Sequence, residues 1–169
     1  ADLKKAAPLE QERTDAGLLL DLLTPVFKAW VSEECLRANW NAMQVLGGAG
    51  YTRDHPVEQH YRDNRLNPIH EGTNGIQAID LVGRKIGQSG GETLKRLMDE
   101  YRNTANEVAK SNDPAFGKTA QRLNETLDAL ERATAYMVAA LNRDQAEALA
   151  GATPYQKLFG LAAGGAYLA

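Results

Sequence analysis

The stretch NPIHEGTNGIQ, Asn67 to Gln77, places a carboxylate in a turn. Glu71 follows Pro68, Ile69 and His70 and precedes Gly72, Thr73, Asn74 and Gly75. Glycines beside an acid leave room for a ligand to reach the backbone. A carboxylate held there can take a proton from a bound substrate as a general base. It can equally be a solvated acid near a helix start, where the positive end of the helix dipole favours negative charge. Thr73 is a good N-cap for the apolar helical pattern that follows. Spacing alone leaves both readings open.

Two neighbouring stretches could serve the same chemistry. In MQVLGGAGY, Met43 to Tyr51, Gln44, Val45 and Leu46 close a helical pattern, and Gly47, Gly48 and Gly50 follow. Exposed amides in a glycine-rich turn can cradle phosphate. The same residues can be a C-cap and turn, and the negative end of the preceding helix disfavours an anion. In HYRDNR, His60 to Arg65, Arg62 and Asp63 are candidates for ion pairs that brace the loop. His55, His60 and His70 lack the i, i+4 spacing of a helical metal pair, so no metal is assigned.

The chain that carries these stretches has 169 residues, 43% hydrophobic and 24% charged, with net charge −3. That is the composition of a globular chain with a core. No dense Lys/Arg run is present, which argues against nucleic acid as a partner. One cysteine, Cys35, excludes an internal disulfide. It falls in a helical pattern, where a small core residue is expected, and points to a reducing, cytoplasmic compartment. No apolar run is long enough for a membrane span, and the N-terminus has no signal-peptide core. The absence of an initiator Met suggests a processed chain or a piece of a longer one.

Periodicity predicts helices throughout. Leu18, Leu19, Leu22 and Leu23 form one amphipathic segment. Thr24 and Pro25 then look like an N-cap and first position of a new helix. Its apolar stripe runs through Val26, Phe27, Trp30, Val31, Cys35, Ala38, Ala42, Met43 and Leu46. Pro56 opens a short helix to about Asp63, and Ile76, Ile79, Val82 and Ile86 give the buried face of the helix after Thr73. GQSGGE, Gly87 to Glu92, is the expected boundary between residues 1–86 and 87–169. Beyond it, Leu94, Leu97, Met98, Tyr101 and Val108 mark one helix, and Leu123, Leu127, Leu130, Met137 and Leu141 another. SNDPAFG is a loop between them, and Thr153 with Pro154 starts a last, Ala/Gly-rich helix. The expected class is all-α: an up-and-down four-helix bundle with additional C-terminal helices, around one or two cores.

Taken together, the turn Gln44-x-x-Gly-Gly-x-Gly-Tyr51, the element Tyr61-Arg62-Asp63 and the loop Ile69-x-Glu-Gly-Thr-Asn74 resemble the C-terminal helical domain of the acyl-CoA dehydrogenases. The match is clear from about Leu22 to Ile86. The tail ATPYQKLFGLAAGGAYLA is similar to the helical extension of a longer bacterial subgroup, akin to 3-methylmercaptopropionyl-CoA dehydrogenases.

The resemblance implies an FAD enzyme that oxidises an acyl-CoA thioester to a 2-enoyl-CoA. Glu71 falls on the family's catalytic base, and Gly72 where the backbone lines the acyl pocket. Thr73, Asn74 and Gly75 fall on positions that contact the flavin nucleotide. Gln44, Val45, Leu46, Gly47 and Gly48 fall on a segment that reaches the FAD of a neighbouring subunit, which implies a homo-oligomer of at least two subunits. Electron-transfer flavoprotein is the implied acceptor, and an oxidase using oxygen is the rival within enzymes. His70 departs from the family, which commonly has Tyr there. The family's N-terminal helical domain and β-domain are absent from this sequence, so the isolated chain is expected to be inactive. A helical oligomerisation module without catalysis is the rival from another class.

Overall fold

A computed structural model describes residues 2–111 and 113–169. Asn112, in the predicted SNDPAFG loop, and Ala1 lie outside them. The architecture is all-helical, and no strand occurs among the described residues. The elements are α1 (Asp2–Ala6), α2 (Glu10–Leu46), α3 (Val57–Asn64), α4 (Asn74–Asp80), α5 (Glu92–Ser111), α6 (Thr119–Arg143), α7 (Gln145–Ala150) and α8 (Ala152–Leu168). A 3₁₀ turn, Gly47–Tyr51, follows α2. A wider π-type turn, Leu81–Lys85, continues α4, with the Ile86 N–H donating to the Leu81 carbonyl at 3.0 Å.

α2 runs unbroken through the break expected at Pro25. Proline cannot donate to the carbonyl four residues back and costs a helix interior about 3 kcal/mol. Leu22, Leu23 and Val26 flank it and are all buried. Each such burial contributes about 1.5–3 kcal/mol, which outweighs the lost bond. Thr24 does not cap; its hydroxyl donates to the Leu20 carbonyl at 2.6 Å within the same helix.

Two apolar faces differ from the expected ones. Burial on α2 ends at Ser32. Beyond it Trp40 is 51% exposed and Cys35 is exposed, so the stripe from Val31 to Leu46 is not core in this chain. α3 and the Gly47–Tyr51 turn pack on this half of α2, while α5 and α8 pack on the other half and α6 packs on them in turn. On α4, Ile76 and Ile79 face outward, and Asn74, Ala78, Leu81, Val82 and Ile86 are buried. The small Ala78 suits the close packing of α4 against both α2 and α8.

The helices after the GQSGGE turn match the expected positions: Leu94, Leu97, Met98, Tyr101, Leu123, Leu127, Leu130 and Met137 are all buried. One contiguous core joins both halves of the chain, from Leu22 and Val26 to Phe159 and Ala166. α8 touches α2, α4, α5 and α6, and its alanines and glycines allow that close approach.

Candidate functional site

The Glu71 loop is held in an uncommon backbone conformation. Glu71 has φ +53° and Gly72 φ +85°. A side-chain-bearing residue in the left-handed region costs about 1–2 kcal/mol, so something must hold it. Two side chains do. Gln77 Nε2 donates to the Glu71 carbonyl at 3.1 Å, and Lys28 Nζ donates to the Gly72 carbonyl at 2.7 Å. A Cβ at Gly72 would also lie 3.0 Å from Gln77 Nε2, so the Gln77 amide that bonds the Glu71 carbonyl would have to give by a few tenths of an ångström.

Asn74 ties the loop to α2. Its Nδ2 donates to the Ala29 carbonyl (3.2 Å), Ser32 Oγ (3.1 Å) and Glu33 Oε1 (3.1 Å). Its Oδ1 accepts from Lys28 Nζ at 3.0 Å. Its backbone N–H donates to the Pro68 carbonyl at 3.0 Å, which closes the loop. Asn74 is 8% exposed, so these bonds are sheltered from water and each counts for more than on the surface. Thr73 caps α4 as expected, its hydroxyl accepting from the Ile76 N–H at 3.3 Å.

Upstream, the loop is fixed by a chain of amides. Asn64 Nδ2 donates to Asn39 Oδ1 on α2, and Asn67 Nδ2 donates to Asn64 Oδ1 at 2.9 Å. The predicted Arg62–Asp63 bracing takes a different form: Asp63 accepts from Gln59 Nε2 at 2.7 Å. Met43, Tyr51, Tyr61, Arg62, Arg65 and Ile69 line an open groove of about 720 Å³ between α2 and α3.

The outcome is a rigid base carrying an outward-facing loop. Glu71, Gly72, Thr73 and Gly75 are exposed, whereas Asn74 is turned inward and its side chain is committed within the chain. Gln44, Val45, Leu46, Gly47 and Gly48 are also exposed. Gly47 has φ 59° and ψ −142°, a conformation left to glycine, and its N–H donates to the Gln44 carbonyl. A Cβ at Gly47 or Gly48 would meet nothing within 4 Å, so the space beside them is open. The two stretches do not share one pocket. Twelve residues of α2 separate Ser32 from Gln44, about 18 Å at 1.5 Å per residue.

These features bear on what the loops could hold. The backbone at Gly47, Gly48, Thr73 and Gly75 is open to a ligand approaching from beyond this chain. The Asn74 side chain does not fit that contact role and fits a positioning one. Lys28, Ser32, Glu33 and Gln77 escaped the sequence reading. Lys28 and Ser32 lie one turn apart on a face otherwise apolar with Ala29, which was the available signal.

A family profile described as "Acyl-CoA dehydrogenase, C-terminal domain" matches residues 5–87, and one described as "Acetyl-CoA dehydrogenase C-terminal like" matches residues 97–169. The chain is 35% identical over 159 residues to a 3-methylmercaptopropionyl-CoA dehydrogenase of Ruegeria pomeroyi, covering 94% of this chain and 27% of that protein. It is 39% identical over 77 residues to a broad-specificity linear acyl-CoA dehydrogenase of Mycobacterium tuberculosis, covering 46% of this chain and 13% of that protein. It is 32% identical over 115 residues to a butyryl-CoA dehydrogenase of Syntrophomonas wolfei, covering 68% of this chain and 18% of that protein. The chain therefore spans about a quarter or less of the length of these relatives.

Proposed function

Because the chain belongs to the acyl-CoA dehydrogenase family, we propose that it is the C-terminal helical part of an enzyme that converts an acyl-CoA thioester to a trans-2-enoyl-CoA. Residues 1–86 supply the catalytic-loop part of that domain and residues 87–169 its helical extension. Glu71 is the base that removes the proton alpha to the thioester carbonyl. Its own backbone N–H is the donor this chain offers to the carbonyl oxygen, where charge develops as the proton leaves. Gly72 lines the acyl pocket without a side chain in the way. FAD, when bound, would supply the acceptor for the beta hydrogen, which leaves as hydride.

The observation that carries this reading is the conformation of Glu71. A structural acid needs no left-handed backbone and no pair of anchored carbonyls. Here Gln77 holds the peptide between Glu71 and Gly72, and Lys28 the next one, between Gly72 and Thr73. Strain maintained by surrounding bonds is characteristic of a positioned catalytic group. Thr73 and Gly75 face the flavin nucleotide, with Asn74 fixing their loop.

Gln44 to Gly48 serve the FAD of a neighbouring subunit, so the working enzyme is at least a dimer. Supporting this, the apolar side chains of Val45, Tyr51 and Trp40 are 86%, 80% and 51% exposed. Large apolar side chains left open in this way suit a covered surface. Electrons pass on to an electron-transfer flavoprotein, in the cytoplasm. No helix among the described residues is long and apolar enough to cross a membrane. The isolated chain, without the family's other domains, is inactive.

The same exposed patch favours one rival, a helical interaction module that has kept the loop but not the chemistry. Purification of the longer protein separates the two. A flavin absorbance band that bleaches on anaerobic addition of acyl-CoA supports the dehydrogenase. A colourless protein that does not bind acyl-CoA overturns it in favour of the module.

A further inference from the structure

The C-terminal helix is keyed into the helix that holds the Glu71 loop. Gly160 and Gly164 lie one turn apart on α8 and present one face. Trp30 of α2 fills the notch they make. A Cβ at Gly160 would lie 2.4 Å from Trp30 Cγ and 2.6 Å from its Cβ and Cδ1. A Cβ at Gly164 would lie 2.4 Å from Trp30 Cη2 and 3.0 Å from Cζ2 and Cζ3. The indole therefore lies lengthwise across both glycines. Its Nε1 is buried without a partner, so packing and not hydrogen bonding sets the ring's place.

A second contact is independent of the first. Gln156, 3% exposed, donates through Nε2 to the Pro25 carbonyl at 2.8 Å. α8 also packs on α4, the helix that begins at Asn74. One helix thus bears on α4, into which the Glu71 loop runs, and on α2, to which Asn74 ties that loop. The bonds from Asn74 to Ala29 and Ser32 span 3.1–3.2 Å and join those same two elements. A methyl group forced into the notch must displace Trp30 or α8 by about 1 Å, and bonds of that length do not survive such a lengthening.

We propose that Gln156, Gly160 and Gly164 are positioning residues: α8 sets the spacing of α2 and α4 and thereby the placement of the Glu71 loop. The extension is on this view part of the catalytic scaffold. The link to turnover rests on Glu71 being the base; the mechanical link from α8 to the loop does not.

The test uses paired substitutions and hydrogen exchange across residues 68–77, with turnover measured in the longer enzyme. Gly164→Ala and Gln156→Met should each speed exchange in the loop about tenfold and lower kcat about tenfold or more, with KM and FAD content unchanged. Phe lacks the far ring atoms that face Gly164, so Trp30→Phe should restore Gly164→Ala to slow exchange. It should not restore Gly160→Ala, because Cβ, Cγ and Cδ1 remain. Loop exchange unchanged in Gly164→Ala and Gln156→Met, or rescue of both glycine variants alike, overturns the proposal. A loosened loop with undiminished kcat contradicts instead the assignment of Glu71. Should Gly164→Ala fail to fold, Gln156→Met carries the same test without a steric clash.

Discussion

Lys28 Nζ lies 2.7 Å from the carbonyl oxygen of Gly72, a residue 44 positions further along the chain. The ammonium thereby fixes the peptide that follows Gly72, one residue beyond Glu71, and it also reaches Asn74 Oδ1 at 3.0 Å. A half-buried lysine on α2 is in this way joined to the outward face of the site. A charged donor makes such bonds stronger than neutral ones.

Replacement of Lys28 by Met keeps the aliphatic stem and removes the donor. Loss of the clamp should cost about 1–2 kcal/mol of stability, measurable by urea unfolding. In the longer enzyme kcat should fall by about tenfold to a hundredfold, since a displacement near 1 Å has effects of that size. Unaltered kcat in Lys28→Met would remove the clamp from the account.

The left-handed backbone at Glu71 predicts an opposition between stability and activity. Glycine relieves about 1–2 kcal/mol of strain there, and gives back about 0.5–1 kcal/mol through its flexible unfolded state. Glu71→Gly should therefore be as stable as the parent, or more stable by up to about 1.5 kcal/mol, while turnover is lost. A thermal unfolding midpoint clearly below that of the parent would mean that the carboxylate contributes to the fold.

Two buried tyrosines should respond differently to loss of their hydroxyls. Tyr155 shares a 2.7 Å hydrogen bond with the Thr134 hydroxyl, whereas the buried Tyr101 hydroxyl makes no hydrogen bond of normal geometry, with Tyr167 packed beside it. Tyr155→Phe should cost about 1 kcal/mol and Tyr101→Phe nothing, or even stabilise. Burial pushes the Tyr155 phenol up from 10.0 to about 12. The folded state then keeps a proton that the unfolded state releases. This contribution is present in full below pH 10 and is lost as pH rises from 10 through about 12, at about 1.4 kcal/mol per pH unit. Denaturant titrations at pH 9 and 11 should show a smaller decline in Tyr155→Phe than in the parent. Equal declines would rule out Tyr155 as a source of alkaline instability.

How far sequence could see is clearest on α2. The periodicity of Leu22, Leu23 and Val26 reports an apolar face, and that face is buried. The same periodicity continues through Cys35 to Leu46, where in this chain the face is open. Period shows which side of a helix is apolar and says nothing about what lies against it. Pro25 misled for a related reason: its penalty is local, and the burial that outweighs it comes from residues on both sides. Thr73 could be read as a cap because a cap bonds three residues away. Lys28 and Gln156 could not, because their partners lie 44 and 131 residues off and no local rule connects them. The chemistry of Glu71 was open on spacing. The family resemblance supplied a role, and the left-handed backbone with its two anchored carbonyls supplies a physical reason for it.

Turnover of Glu71→Gln in the longer enzyme tests that role most directly. Gln keeps the shape and the carbonyl of the side chain but cannot accept the alpha proton. FAD and acyl-CoA should still bind while kcat falls by at least about a hundredfold. Wild-type turnover in Glu71→Gln with flavin bound would contradict it.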